Sequence, residues 1–237
     1  MIENLIQPIP TAKLLEELTR DIFVRPTNNA SNEIYIFKGD EKPHLIAEVG
    51  RLRELTFRAA GGGTGKSVDI DEYDSGPYSY SQLIVWDPWE NQLVGGYRFV
   101  MVPQTKDAED NFHLSTSEIF NYTQLIKDKY FPYAIELGRS FVQPEYQPSL
   151  SSRKGLFSLD NLWDGLGALV VMNTECKYFF GKITMYTDFN KEARDLILSF
   201  MDHYFPNKEN LVSIPSPIHR EFDCTSFLNE LDGLEYK

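Results

Sequence analysis

The chain has 237 residues, 42% of them hydrophobic and 14% aromatic, with a formal net charge of −12. That size and apolar content argue against disorder and supply a core for one large domain, or one domain with an extension. The negative balance speaks against long-range attraction of the whole chain to nucleic acid or an anionic membrane. No stretch approaches the roughly 18 apolar residues of a membrane span, and Met1–Ile9 lacks the basic start and apolar run of a signal peptide. A cytoplasmic protein is expected. Cys176 and Cys224 stand in unlike contexts and read as free thiols. His44, His113, His203 and His219 are scattered, so no metal site is expected.

Thr11–Val24 carries leucines at 14, 15 and 18 and Ile22, which predicts a helix capped by Thr11. Asn28–Asn32 reads as loop and Glu33–Lys38 as an alternating strand. Leu45–Ala60 predicts a second helix, broken by Gly61–Gly65. Tyr80–Asp87 and Leu93–Val102 predict a hairpin across Pro88–Gln92, followed by polar loop over Pro103–His113. Phe131–Val142 predicts another strand, Gln143–Lys154 a loop, and Phe157–Asn173 a helix. Tyr178–Tyr186 predicts a strand and Glu192–Phe205 a helix. Leu211–Ile214 suggests a last strand, with a short helix near Thr225–Leu231. A meander of antiparallel strands followed by a crossover helix makes a mixed α/β (α+β) sheet flanked by helices.

Four stretches carry chemistry. Ala60–Ser67, AGGGTGKS, imitates a phosphate loop, but that mechanism needs a strand before the loop and a helix after it. Here a helix precedes it, which leaves a helix-ending loop or a glycine cover over a substrate. Asp69–Asp74 holds four carboxylates in six residues. Such a run is usually solvated, or else it holds nearby arginines or a substrate ammonium. In Ala134–Val142, AIELGRSFV, Glu136 and Arg139 interrupt a buried-looking strand. An internal ion pair is the plain reading, and a bulge near Gly138 would bring the two side chains to one face. A bulged strand also frees backbone N–H groups for a thioester carbonyl, and the following helix start suits a phosphate. Arg98, after Gly95-Gly96-Tyr97, could hold a carboxylate in bidentate fashion.

In order, Arg53 with Phe57, Asp69-x-Asp71-x-x-Asp74, Arg98 and Glu136-x-x-Arg139 resemble the signature of the acyl-homoserine-lactone synthases, with Asp69 where those enzymes usually have Glu. The closer resemblance is to the hemolysin-like N-acyltransferases that make ornithine lipids and glycine lipids. It is carried by residues 51–74, 93–100, 135–147, 159–170 and 177–186, and covers roughly residues 30–215. It implies the GNAT acyltransferase fold over 31–215, with a helical extension over 1–30 and a tail over 216–237. Longer members continue past Lys237, so the tail reads as either a natural end or a truncation. The glycine-rich stretch tilts the reading toward the glycine-lipid subgroup, whose members move 3-hydroxy fatty acyl chains from acyl carrier protein to an amino-acid nitrogen. Gln147–Gly155 lacks the usual acetyl-coenzyme A loop pattern, which favours carrier protein over coenzyme A as donor.

The expected reaction needs no bound cofactor and no covalent intermediate. Glu136 is the candidate base, with Arg139 beside it. Arg53, Phe57, Asp71, Asp74 and Arg98 are the candidate acceptor site. Ser140, Phe141 and Val142, with Arg153, Lys154 and Gly155, are the candidate donor site. The expected partners are acyl carrier protein and a small amino acid, glycine before ornithine. A lipid product is compatible with peripheral contact at the inner membrane. The alternatives are a lactone-type signal synthase and a non-catalytic acyl-binding module on the same fold.

Overall fold

The computed structural model describes residues 2–147, 155–186, 188–217 and 219–236. They form two compact units. The first takes the chain up to Ser115 and Phe131–Lys182, and the second takes Thr116–Tyr130 and the chain from Ile183.

The first unit is built on a six-stranded sheet. Its strands are β1 (Phe23–Pro26), β2 (Glu33–Lys38), β3 (Ser81–Asp87), β4 (Gln92–Met101), β6 (Ala134–Val142) and β7 (Tyr178–Phe180), in the spatial order β1-β2-β3-β4-β6-β7. Every pairing is antiparallel except β6 with β7, which is parallel. One face is covered by α1 (Thr11–Glu17) and α2 (Pro43–Ala59), through Leu14, Leu45, Val49 and Leu52 against Phe37, Ile84 and Phe141. The other face is covered by α4 (Ser158–Met172), whose Leu162, Leu166 and Leu169 pack on Leu83, Val85 and Val94. Gly165 lets this helix close on the sheet, because a Cβ there would lie 2.7 Å from Leu83. The mixed, mostly antiparallel sheet expected from the sequence is the one observed.

Capping sets the ends of α2. Pro43 opens the helix, and the Glu17 carboxylate accepts from the N–H groups of His44 (3.0 Å) and Leu45 (2.8 Å). At the other end Gly61 takes φ +91° and donates to Arg58 O, while Gly62 donates to Phe57 O. This pair of bonds is a Schellman stop.

Several predicted elements are shorter than their sequence pattern. The first helix ends at Glu17, and Phe23–Pro26 is an edge strand. Pro26 biases the residue before it toward extended backbone and is tolerated on a sheet edge. Ala134 rather than Phe131 starts β6, since Phe131–Tyr133 forms a 3₁₀ turn around Pro132. The strand expected over Tyr178–Tyr186 stops at Phe180. The second unit holds β5 (Asn121–Tyr122), α3 (Gln124–Lys129), α5 (Lys191–Tyr204), β8 (Val212–Ser213) and α6 (Thr225–Leu231). β5 and β8 pair with each other in a separate two-stranded sheet, and neither β5 nor α3 was expected from the sequence.

Candidate active site

Alternation along β3, β4 and β6 aims Gln82, Arg98 and Glu136 at the face that α2 covers. The register pairs Gln82 with Arg98, Arg98 with Gly138 and Val100 with Glu136. Arg53 of α2 and the acidic loop after the glycines meet them there. Asp74, 1% exposed, is the centre. It accepts from Arg53 Nη1 (2.9 Å), Gln82 Nε2 (2.9 Å), Arg98 Nη1 (3.3 Å) and the N–H of Asp71 (3.1 Å). Arg53, wholly buried, also donates to Gln82 Oε1. Asp71 accepts from Arg98 Nη1 at 2.5 Å and from Arg139 Nη2 at 3.2 Å. Asp69, 2% exposed, faces Arg139 Nε at 3.1 Å without the alignment of a hydrogen bond. The acidic run is therefore an internal counter-ion set of three carboxylates for three arginines, and the solvated-loop reading is overturned. Phe57 packs outside this cluster, on the apolar core between α2 and the sheet.

The electrostatics follow from burial. Burial pulls the Arg53 guanidinium below the usual arginine range, partly offset by Asp74. Burial pushes the Asp69 carboxyl up despite Arg139 and Arg53. Burial opposes ionisation of Asp71 too, but there the Arg98 hydrogen bond and charge win, and the carboxyl lies below its usual value. The Arg98 guanidinium also lies close to the rings of Tyr73 and Tyr80, 5.4 and 5.3 Å from their centroids. Its Nε is buried without a hydrogen-bond partner, and the backbone beside it is Gly138, where an added Cβ would stand 3.6 Å from that nitrogen.

The predicted bulge is present. Between the pairs Gly96–Phe141 and Arg98–Gly138, β4 has one residue and β6 has two, Arg139 and Ser140. Arg139 takes φ +49°, a left-handed conformation uncommon for a side chain of its size. That turn sends its guanidinium to Asp69 and Asp71, whereas Glu136 binds Tyr80 and Ser115. The β6–β7 register covers only Ala134, Ile135 and Glu136. The stretch from Gly138 to Val142, which includes Ser140, Phe141 and Val142, therefore lacks a strand partner on that side among the described residues. Gly155, also assigned to the donor, packs against Tyr146: its added Cβ would meet Tyr146 O at 2.0 Å. Arg153 and Lys154 lie outside the described residues.

Glu136 is wholly buried. Its Oε2 accepts from the Tyr80 hydroxyl at 2.5 Å and its Oε1 from the Ser115 hydroxyl at 2.8 Å. The Ser115 backbone N–H donates to Tyr80 Oη at 2.9 Å, which closes a ring of three residues. Burial and then the Glu136 charge push the Tyr80 phenol well above its usual range. Sequence reasoning missed Tyr80, Gln82 and Ser115. Gln82 left a trace, as a polar residue inside an apolar strand; Ser115 left none.

The glycine loop proves to be the end of α2 folded back on itself. Glu54, wholly buried, accepts from the N–H groups of Thr64 and Gly65, both at 2.8 Å, from Thr64 Oγ1 at 2.7 Å and from Arg58 Nε at 2.7 Å. Burial disfavours that charge, yet these donors hold the carboxyl below its usual value. The backbone nest that a phosphate would need is occupied by the chain's own carboxylate. Glu54→Ala is expected to cost roughly 2–3 kcal/mol, since it strands several donors to a charged group. A thermal melt checks the loss, and limited proteolysis should find the 61–66 loop newly cleaved.

A bulged, partly unpaired strand beside a buried acid and a set of paired arginines and carboxylates suits an acyltransferase of the GNAT class. Residues 52–153 match the acetyltransferase (GNAT) domain family. The chain is 46% identical over 223 residues to the glycine N(alpha)-acyltransferase of Phocaeicola vulgatus, covering 94% of this chain and 68% of that protein. It is 47% identical over 218 residues to the glycine N(alpha)-acyltransferase of Bacteroides thetaiotaomicron, covering 92% and 65% respectively. The chain belongs to this family of GNAT N-acyltransferases and spans about two thirds of the length of these relatives. No solved structure matches it.

Proposed function

We propose that the chain moves a 3-hydroxy fatty acyl group from the thioester of acyl carrier protein to the nitrogen of glycine, in the synthesis of an aminolipid. The two relatives named for glycine support the acceptor. The structural observation that carries the reading is the unpartnered Nε of Arg98, wedged beside Gly138 where β6 begins to open. A buried donor with no acceptor suits the carboxylate of a small amino acid. Arg98 Nη1 is held by Asp71 and Asp74, and Arg53 Nη1 and Nη2 are held by Asp74 and Gln82, so the cluster is already rigid before the acceptor arrives.

In this reading Glu136 takes the proton that the acceptor nitrogen must lose. The nitrogen attacks the thioester carbon, and the oxyanion that forms is met by backbone N–H groups of Ser140 and Val142, since the backbone N–H of Phe141 faces β4. The C–S bond then breaks, and the thiolate takes a proton to leave as the carrier's thiol. Asp71 and Asp74 hold Arg98, and Arg53 holds Asp74. Arg139 pins the bulge to Asp69 and Asp71. Arg153, Lys154 and Gly155, which precede α4 in the sequence, are assigned the donor's phosphate on sequence grounds.

Among the described residues no helix is long and apolar enough to cross a membrane. We place the enzyme in the cytoplasm with transient contact at the inner membrane, because the product carries a long acyl chain. The test is a mass-spectrometric assay with 3-hydroxyacyl carrier protein, glycine, ornithine and serine, repeated with the acyl-coenzyme A. N-acylglycine made from the carrier-bound donor is expected. A product on ornithine or serine in preference to glycine would overturn the acceptor, and equal turnover with coenzyme A would overturn the donor.

A further inference from the structure

Glu136 has the chemistry of a base but not the position of one. It is 0% exposed, and each carboxylate oxygen already accepts a hydroxyl proton. Of its two hydroxyl partners, Tyr80 is as buried as Glu136 itself, donates its only proton to Glu136 and accepts from the Ser115 N–H. Burial beside the Glu136 charge keeps that phenol protonated, so Tyr80 is a fixed donor. Ser115 is different. It is only half-buried, it opens a 3₁₀ turn (Ser115–Glu118), and its hydroxyl spends its one proton on Glu136 while its lone pairs remain available to accept.

Resting on the acyl-transfer reading above, we infer that Ser115 is a catalytic residue that relays the acceptor's proton to Glu136. Before attack, one proton of the acceptor ammonium passes to Ser115 Oγ and the Ser115 proton passes to Glu136 Oε1. The neutral amine then attacks the thioester carbon, and its second proton goes to the departing sulfur. Ser115 ends as it began, Glu136 is protonated, and the electron pair of the C–S bond leaves with sulfur. Glu136 returns its proton along the same path to water. The ring through Tyr80 helps set the geometry: the Ser115 N–H on Tyr80 Oη holds the serine backbone where its hydroxyl reaches Glu136. The hydroxyl is a conduit here and forms no acyl bond.

The test uses the full chain with Ser115→Ala and Ser115→Thr, measuring kcat and KM for glycine from pH 6 to above the acceptor's ammonium pKa. Ser115→Ala is expected to lower kcat about 10²-fold near neutral pH with KM changed little, the range for loss of one proton-transfer group. The deficit should shrink at high pH, where the amine arrives already deprotonated, and Ser115→Thr should restore most of the rate. A serine that only braced Glu136 would give a deficit independent of pH. That result, or an Ala variant as fast as wild type, overturns the relay alone. A wild-type chain that acylates no amine overturns the reaction and the relay together.

Discussion

Replacing Asp74 by alanine should lower the unfolding free energy by about 3–5 kcal/mol, the usual loss when one partner of a buried ion pair is removed. The size of the effect comes from what the carboxylate leaves behind. Arg53 is 0% exposed and Arg98 3% exposed, and Asp74 is hydrogen-bonded to both. Its removal also strands the amide of Gln82 and the N–H of Asp71. Arg53 already suffers from burial, with its guanidinium pulled down despite Asp74. Denaturant titration checks the value. The double variant Arg53→Met, Asp74→Ala should lose less than the two single variants summed, with a coupling on the order of 1–3 kcal/mol. Additive losses, or a single-variant loss under about 1 kcal/mol, would mean that the cluster does not hold the fold together.

Glu136→Gln should cut turnover by about 10²- to 10⁴-fold, the range for a general base, with little change in thermal midpoint. The isosteric amide can keep both neighbours. Its carbonyl accepts from Tyr80, and its NH₂ can donate to the Ser115 oxygen in place of receiving from it. Packing and hydrogen-bond count survive, and only the ability to take a proton is lost. A variant that retained activity within a few-fold of wild type would remove Glu136 from the chemistry. A variant that lost activity and midpoint together would point to a structural role for the ring.

The sequence made the sheet legible where the period of two met apolar residues on both faces. Glu33–Lys38 and the 225–231 helix stand where the pattern placed them, and the hairpin strands shift by one residue. It failed where pairing rather than propensity decides. Residues 178–186 look uniformly strand-like, but β6 diverges past Glu136 and offers no partner, so β7 ends at Phe180. The two-residue β5 exists because β8 lies beside it, and no local pattern announces that.

The candidate site was legible as a set of residues but not as a wiring diagram. Carboxylates, arginines and a glycine in a strand stood out by type. Which arginine met which acid did not, because that depends on the bulge that gives Arg139 its positive φ. The expected pairing of Glu136 with Arg139 gave way to Asp69 and Asp71 for the arginine, and to Tyr80 and Ser115 for the acid. Hydroxyl partners are the hardest to foresee, since serine and tyrosine are common and carry no charge signature.

The same bulge bears on aggregation. A sheet edge with a run of free N–H and C=O groups is a template on which another chain can add a strand, and proteins blunt such edges. From Gly138 onward β6 presents such a rim, but its backbone reverses hand at Arg139 and its Val142 carbonyl is already taken by the Gln147 side chain at 2.8 Å. A regular strand cannot stay in register across that irregularity, whereas a short, flexible thioester arm needs only two or three donors. The kink therefore refuses an added strand and, in the proposed reaction, leaves the rim to a small guest.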